Sequence, residues 1–177
     1  MKKLILFYFA AILLHPAVSN AQNKVDAETR IKELGIQLIK PTSPIANYVK
    51  AVRVGNVVYL SGHGPDKPDG GLVTGKAGGD LTWEQARDAA RLTGISLLSS
   101  LKAEIGDLNK VKRIVKVLGM VNAVPAFDQH PKVINGCSDL MVEVFGENGK
   151  HARSSVGMSS LPNNIAVEIE MIVELKD

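Results

Sequence analysis

The spacing of apolar and polar positions changes repeatedly along the chain, and each change marks an element. Across residues 22–40, Glu28, Arg30, Lys32 and Glu33 surround Ile31 and Leu34. That spacing predicts a short N-terminal helix or a loosely held extension, ended by Pro41 and Pro44. Two short strands are expected at Tyr48–Val54 and Val57–Ser61, with Gly55-Asn56 as a two-residue turn between them. The second strand runs into Ser61-Gly62-His63-Gly64-Pro65, whose glycines permit unusual backbone angles or a close approach by a ligand.

Residues 66–80 lose periodicity and are rich in Gly, Asp and Lys, so they read as a long loop, with room for a short strand at Leu72-Val73-Thr74. Thr82-Trp83-Glu84-Gln85 has the spacing of a capping box and opens a long helix carrying Ala86, Ala89, Ala90, Ile95, Leu97, Leu98 and Leu101. Gly106 is its expected stop. Val111–Val121 is valine-rich and strand-like. After a loop from Pro125 to Pro131, Val133, Ile134, Cys137, Leu140, Met141, Val144 and Phe145 trace a second amphipathic helix, closed by Gly146 and Gly149. Strands at about 153–159 and 165–175 finish the chain. The expected fold class is α+β: a mixed sheet with two helices packed on one face. Nothing remains in the chain to cover the other face, so oligomerisation through that face is expected.

Composition adjusts this picture in three places. Residues 1–21 carry Lys2 and Lys3, an apolar run from Leu4 to Leu14, and Ser19-Asn20-Ala21 at the end. This is the pattern of a signal peptide cleaved after Ala21, with an apolar run too short to cross a bilayer comfortably; an uncleaved N-terminal anchor is the alternative reading. The organisation expected is therefore a signal at 1–21, an extension at 22–40 and one domain at 41–177, working in the periplasm with no membrane attachment after cleavage. Loss of the two lysines lowers the formal charge from +3 to +1, which leaves no basic tract for a nucleic acid. One Trp, three Tyr and four Phe also make a poor stacking platform. The single cysteine, Cys137, cannot form an intramolecular disulfide and sits in an apolar stretch, as a buried small hydrophobe would.

Candidate chemistry gathers near the C-terminus. Arg153 stands at a strand start in His151-Ala152-Arg153-Ser154-Ser155. A guanidinium matches a carboxylate in two-point contact, although an arginine there is commonly just a solvated edge residue. Glu168 and Glu170 share one face of the last strand, with Val167, Ile169, Met171 and Val173 on the other. Carboxylates two residues apart on one strand lack the opposed geometry of a glycosidase, but one of them could handle a water or a proton. His63 reads as a turn histidine rather than a ligand contact, and Asn135 as a site amide or a surface residue. The histidines show no metal-ligand spacing. There is no P-loop, dinucleotide fingerprint or Gly-x-Ser-x-Gly elbow.

An ordered set of segments over most of residues 41–175 resembles the RidA/YjgF family, also called endoribonuclease L-PSP or chorismate-mutase-like. The set comprises Asn47-Tyr48-Val49, Val57–Pro65 with Ser61-Gly62, Asn135, Ala152-Arg153-Ser154, Leu161-Pro162 and Val167-Glu168-Ile169-Glu170. The long insertion around 66–82, with Gly78-Gly79-Asp80-Leu81-Thr82, resembles the YjgF-like branch of that family. The resemblance implies a chorismate-mutase-like fold and a homotrimer with clefts between subunits. It implies cofactor-free hydrolysis of reactive 2-imino or enamine acids to 2-oxo acids and ammonia. By the same resemblance, Arg153 pairs with the substrate carboxylate and Glu168 orients or activates water. Tyr48, Gly62, Asn135 and Ser155 shape the substrate site, with Ser155 where many members have a cysteine. Gly157 stands where many deaminases carry an acidic residue. A non-catalytic binder of small carboxylates on the same fold is the alternative reading. The ribonuclease in the family label is opposed by the near-neutral charge.

Overall fold

The computed structural model describes residues 25–41 and 46–177. The expected signal segment at 1–21 lies outside these residues. The elements are α1 (Ala27–Glu33), β1 (Ala51–Val54), β2 (Val57–His63), α2 (Trp83–Ile105), β3 (Val111–Asn122), α3 (His130–Phe145), β4 (Ala152–Met158) and β5 (Val167–Leu175). Short 3-10 turns lie at Leu108–Lys110, Gly146–Gly149 and Pro162–Asn164.

Local signals explain most boundaries. The Thr82 hydroxyl accepts from the Gln85 N–H at 3.3 Å, and the Gln85 side chain accepts from the Thr82 N–H at 2.9 Å. This reciprocal cap starts α2, and Gly106 at φ 81° stops it. The hairpin between β1 and β2 closes at Gly55-Asn56 as expected. Other boundaries differ: β2 continues to His63 and β5 starts at Val167. β1 begins at Ala51, leaving Tyr48 in the preceding loop, and α3 begins at His130 with Pro131 in its first turn, where a missing N–H does no harm.

The five strands form one mixed sheet in the order β1-β2-β5-β3-β4. All neighbours are antiparallel except β3 and β4. α2 and α3 cover one face. Their axes approach closely because a side chain at Gly136 would strike the Arg87 carbonyl oxygen at 2.0 Å. Val58, Leu60, Val117, Val121, Ile169, Met171 and Val173 point from the sheet into this core, against Leu97, Leu101, Ile134 and Leu140. Burying each large aliphatic side chain there contributes about 1.5–3 kcal/mol. α1 docks on the same core through Ala27 and Ile31. The two helices do share one face of a mixed sheet, as the periodicity predicts.

Among the described residues, no helix covers the opposite face. That face carries Val52, Tyr59 and Val156, which keep 50%, 48% and 41% of their exposure. The 66–82 segment runs along the top of the sheet. Gly75 N–H donates to the Asn164 carbonyl, Ala77 N–H to the Asn122 carbonyl, and Ala166 N–H to the Val73 carbonyl. The insertion is thereby tied to the ends of β3 and β5, and isolated bridges at Asp66–Leu72 and Thr74–Ile165 stand where a short strand is expected.

Candidate active site

The residues singled out in the sequence fall into two groups. The first is built on β4 and α3. Arg153 Nη1 donates to Asn135 Oδ1 at 2.8 Å and to Ser138 Oγ at 3.0 Å. Asn135 and Ser138 are three apart on α3, so they lie on one side of the helix. Behind them, His151 Nδ1 lies 2.7 Å from the Gly149 carbonyl, which can only accept. Nδ1 therefore carries the proton, and Nε2 accepts from the Ser138 hydroxyl at 3.0 Å. Burial, above all, lowers the His151 pKa and keeps the ring neutral at ordinary pH, with the Arg153 charge acting in the same direction. Asn135 and Ser138 thus hold one guanidinium nitrogen in place. Neither Ser138 nor His151 was a candidate from sequence. The signal was present, since Ser138 is three residues from Asn135 and His151 two before Arg153.

Ser155 follows Arg153 on the same side of β4, and its buried hydroxyl has no hydrogen-bond partner among the described residues. Cys137 is fully buried beneath this group, and desolvation pushes its thiol up to about 12. It is an inert core residue, as expected.

The second group surrounds Glu168 on β5. With Tyr48, Lys50, Gly62, Asp66 and Asn163 it lines a cleft of about 400 Å³. Gly62 is required there: a Cβ on it would lie 2.0 Å from Glu168 Oε1. The carboxylate is half-buried. Desolvation raises its pKa first, the neighbouring Glu170 adds to the rise, and Lys50 opposes it. A carboxylate shifted in this direction is a better proton acceptor at neutral pH.

A bulge positions Gly62. The β2–β5 register slips between Leu60 and His63. His63 was expected in a turn, but it ends β2 as a core residue. Its Nδ1–H donates to the Ser61 carbonyl at 2.6 Å, and Nε2 accepts from the Ser100 hydroxyl at 2.7 Å. Burial lowers its pKa to about 4, so it is a neutral strut.

The two groups do not meet within one chain. Arg153 pairs with Val117 and Glu168 with Met120. Those β3 residues are three apart, so their side chains, and those of their cross-strand partners, point to opposite faces. The guanidinium lies on the helix side and the carboxylate on the opposite side. Among the described residues, no cluster of three or more His, Cys, Asp or Glu could hold a metal ion.

Comparison with known proteins agrees with this architecture. The family model described as "YjgF/chorismate_mutase-like, putative endoribonuclease" matches residues 28–175. Protein TCP17 of Trypanosoma cruzi is 41% identical over 83% of this chain and 92% of its own length. The 2-iminobutanoate/2-iminopropanoate deaminase of Dermatophagoides farinae is 32% identical over 75% of this chain and 89% of its own. The crystal structure of protein Atu1372 from Agrobacterium tumefaciens superposes with a TM-score of 0.78 at 44% identity, covering 85% of this chain and 94% of that one.

Proposed function

Since the chain belongs to the YjgF/chorismate-mutase-like family, we propose that it is a periplasmic, cofactor-free hydrolase of reactive 2-imino acids and their enamine tautomers, releasing 2-oxo acids and ammonia. The observation that carries this reading is Glu168, a carboxylate with a raised pKa in a cleft, packed against Gly62 in space that a side chain there would fill. The deaminase among its relatives supports the same chemistry.

The site is completed between copies of the chain. Arg153 of one subunit meets the Glu168 cleft of the next, in a closed ring with the sheet faces that point away from α2 and α3 inside; three subunits is the count the family resemblance implies. Such a head-to-tail contact uses two different surfaces of each subunit, and here those surfaces carry the two halves of the site. Ring closure also covers Val52, Tyr59 and Val156.

The substrate carboxylate pairs with the free edge of the Arg153 guanidinium, which Asn135 and Ser138 hold from behind. Glu168 takes a proton from water as the water oxygen bonds to C2 of the protonated imine. The C=N π electrons move to nitrogen, giving a carbinolamine. Glu168 then hands its proton to the amino group. The C–N bond breaks, ammonia leaves, and loss of the hydroxyl proton leaves the 2-oxo acid. An imine carbon is already electrophilic, so positioning and one proton shuttle suffice. Tyr48 walls the cleft, and Ser155 lies two residues after Arg153 on the same side of β4.

The test is release of ammonia and 2-oxo acid from freshly generated 2-iminobutanoate, with wild type, Arg153→Ala and Glu168→Gln compared. Acceleration by wild type alone supports the reading. If wild type fails to accelerate hydrolysis but carboxylates still raise its Tm through Arg153, the protein is a small-carboxylate binder instead.

A further inference from the structure

A second pocket, of about 420 Å³, lies at the C-terminal end of the parallel β3–β4 pair. Its walls include Lys76 from the insertion, Val124, Phe127, His130 at the start of α3, Gly157 and Met158. No carboxylate lines it. We propose that this pocket is a second anion subsite of the deaminase cleft, taking the distal carboxylate of a substrate with an acidic side chain. The proposal rests on the assignment of Arg153 as the anchor for the first carboxylate.

Two observations point to an anion. Lys76 donates one ammonium proton to the Ser159 carbonyl, which orients the group and leaves two donors. Among the described residues, no ion pair engages Lys76 or His130; Asp80 accepts only from the Lys76 backbone N–H, at 2.9 Å. The His130 ring is fixed from two sides. It stands edge-on to Phe127 at 5.3 Å and 83°, and its Nε2 would lie 2.3 Å from a Cβ on Gly157. The imidazole therefore fills the space an acidic side chain at 157 would need. The imidazole and the Lys76 side chain thus line the same pocket.

The spacing suits a dicarboxylate. Arg153, Ser155 and Gly157 follow one another on the same side of β4, the last strand of the sheet. The Cα atoms of Arg153 and Gly157, four residues apart, are separated by roughly 13 Å at strand rise, which leaves room between the two anchors for a short diacid. Asn135, which holds the guanidinium, is about 7.5 Å from His130 along the axis of α3. A five- or six-carbon diacid has its carboxylates about 5–6 Å apart, and charge-assisted contacts add about 2.8 Å at each end. Val124, Phe127 and Met158 provide an apolar wall for its methylenes.

Calorimetric titration of the full mature protein with 2-oxobutanoate, 2-oxoglutarate and 2-oxoadipate tests this. Wild type should bind one of the diacids about tenfold more tightly than the monoacid, as an added charge-assisted contact would give. Lys76→Met should bring that ratio within about twofold, and His130→Gln should lower it by a smaller factor. Equal affinities in wild type, or a preference that survives both substitutions, overturns the subsite. If 2-oxobutanoate binds through Arg153 and no diacid preference exists, the anchor stands and the subsite alone falls. If none of the three binds, both fall together.

Discussion

The Arg153 and Glu168 halves of the site are built in opposite ways. Arg153 is braced by two α3 side chains, one of which leans on His151 and through it on the Gly149 carbonyl. Among the described residues no ion pair holds Glu168, which occupies a space that exists because Gly62 has no side chain. A binding group gains from bracing, because the ordering is done before the ligand arrives. A proton carrier gains from partial desolvation and the absence of strong partners, which keep its pKa raised. The contrast predicts that substitutions on the two halves fail differently.

The largest effect is expected from Glu168→Gln. It should lower kcat on the order of a thousandfold while leaving product-analogue affinity near wild type, read by steady-state kinetics and calorimetry together. Arg153→Ala should reduce kcat/KM on the order of a hundredfold and abolish carboxylate binding. Gly62→Ala should cost roughly tenfold in kcat, because the new methyl group displaces a flexible carboxylate rather than the core; its Tm should stay close to wild type. Asn135→Ala should raise KM by about fivefold, since Ser138 still holds the guanidinium.

Smaller pH effects separate the halves further. The acid limb of kcat should lie above the ordinary glutamate range, because the Glu168 pKa is raised. The same shift makes the charged form a burden on folding: the unfolded chain ionises first as pH rises, so stability falls through that window. Glu168→Gln should therefore raise Tm at pH 7 by a degree or so, about the size expected for a partly screened group. His63 acts in the acid direction. It titrates near 6.5 unfolded and about 4 folded, so the stability it protects is present above 6.5 and is lost progressively as pH falls toward 4. Replacing His63 with Asn should flatten that part of the stability curve.

The sequence made the frame legible wherever one local signal sufficed. Thr82 and Gln85 announce α2, Gly55-Asn56 announces the hairpin, and the alternation from Val167 to Val173 separates the core face of β5 from the Glu168 face. The site was legible as a roster but not as an arrangement. That Arg153 and Glu168 face apart depends on which β3 residues they pair with, a register set by long-range packing. His63 was misread because the Ser61-Gly62-His63-Gly64 run signals a turn, whereas a bulge lets the strand continue through His63. The insertion gave no periodicity, since it is held by single backbone bonds to β3 and β5 and to the turn between β4 and β5.

The most direct test of the central claim, that the two halves combine between copies, is to mix the Arg153→Ala and Glu168→Gln chains, each expected to be strongly impaired alone, by co-refolding and measure imine hydrolysis. If each site takes its arginine from one chain and its glutamate from the next, an equal mixture should recover about a quarter of wild-type activity, because random assembly leaves that share of sites intact. If the mixed assemblies form and stay as impaired as either parent, the two halves do not combine between subunits, and the account is contradicted.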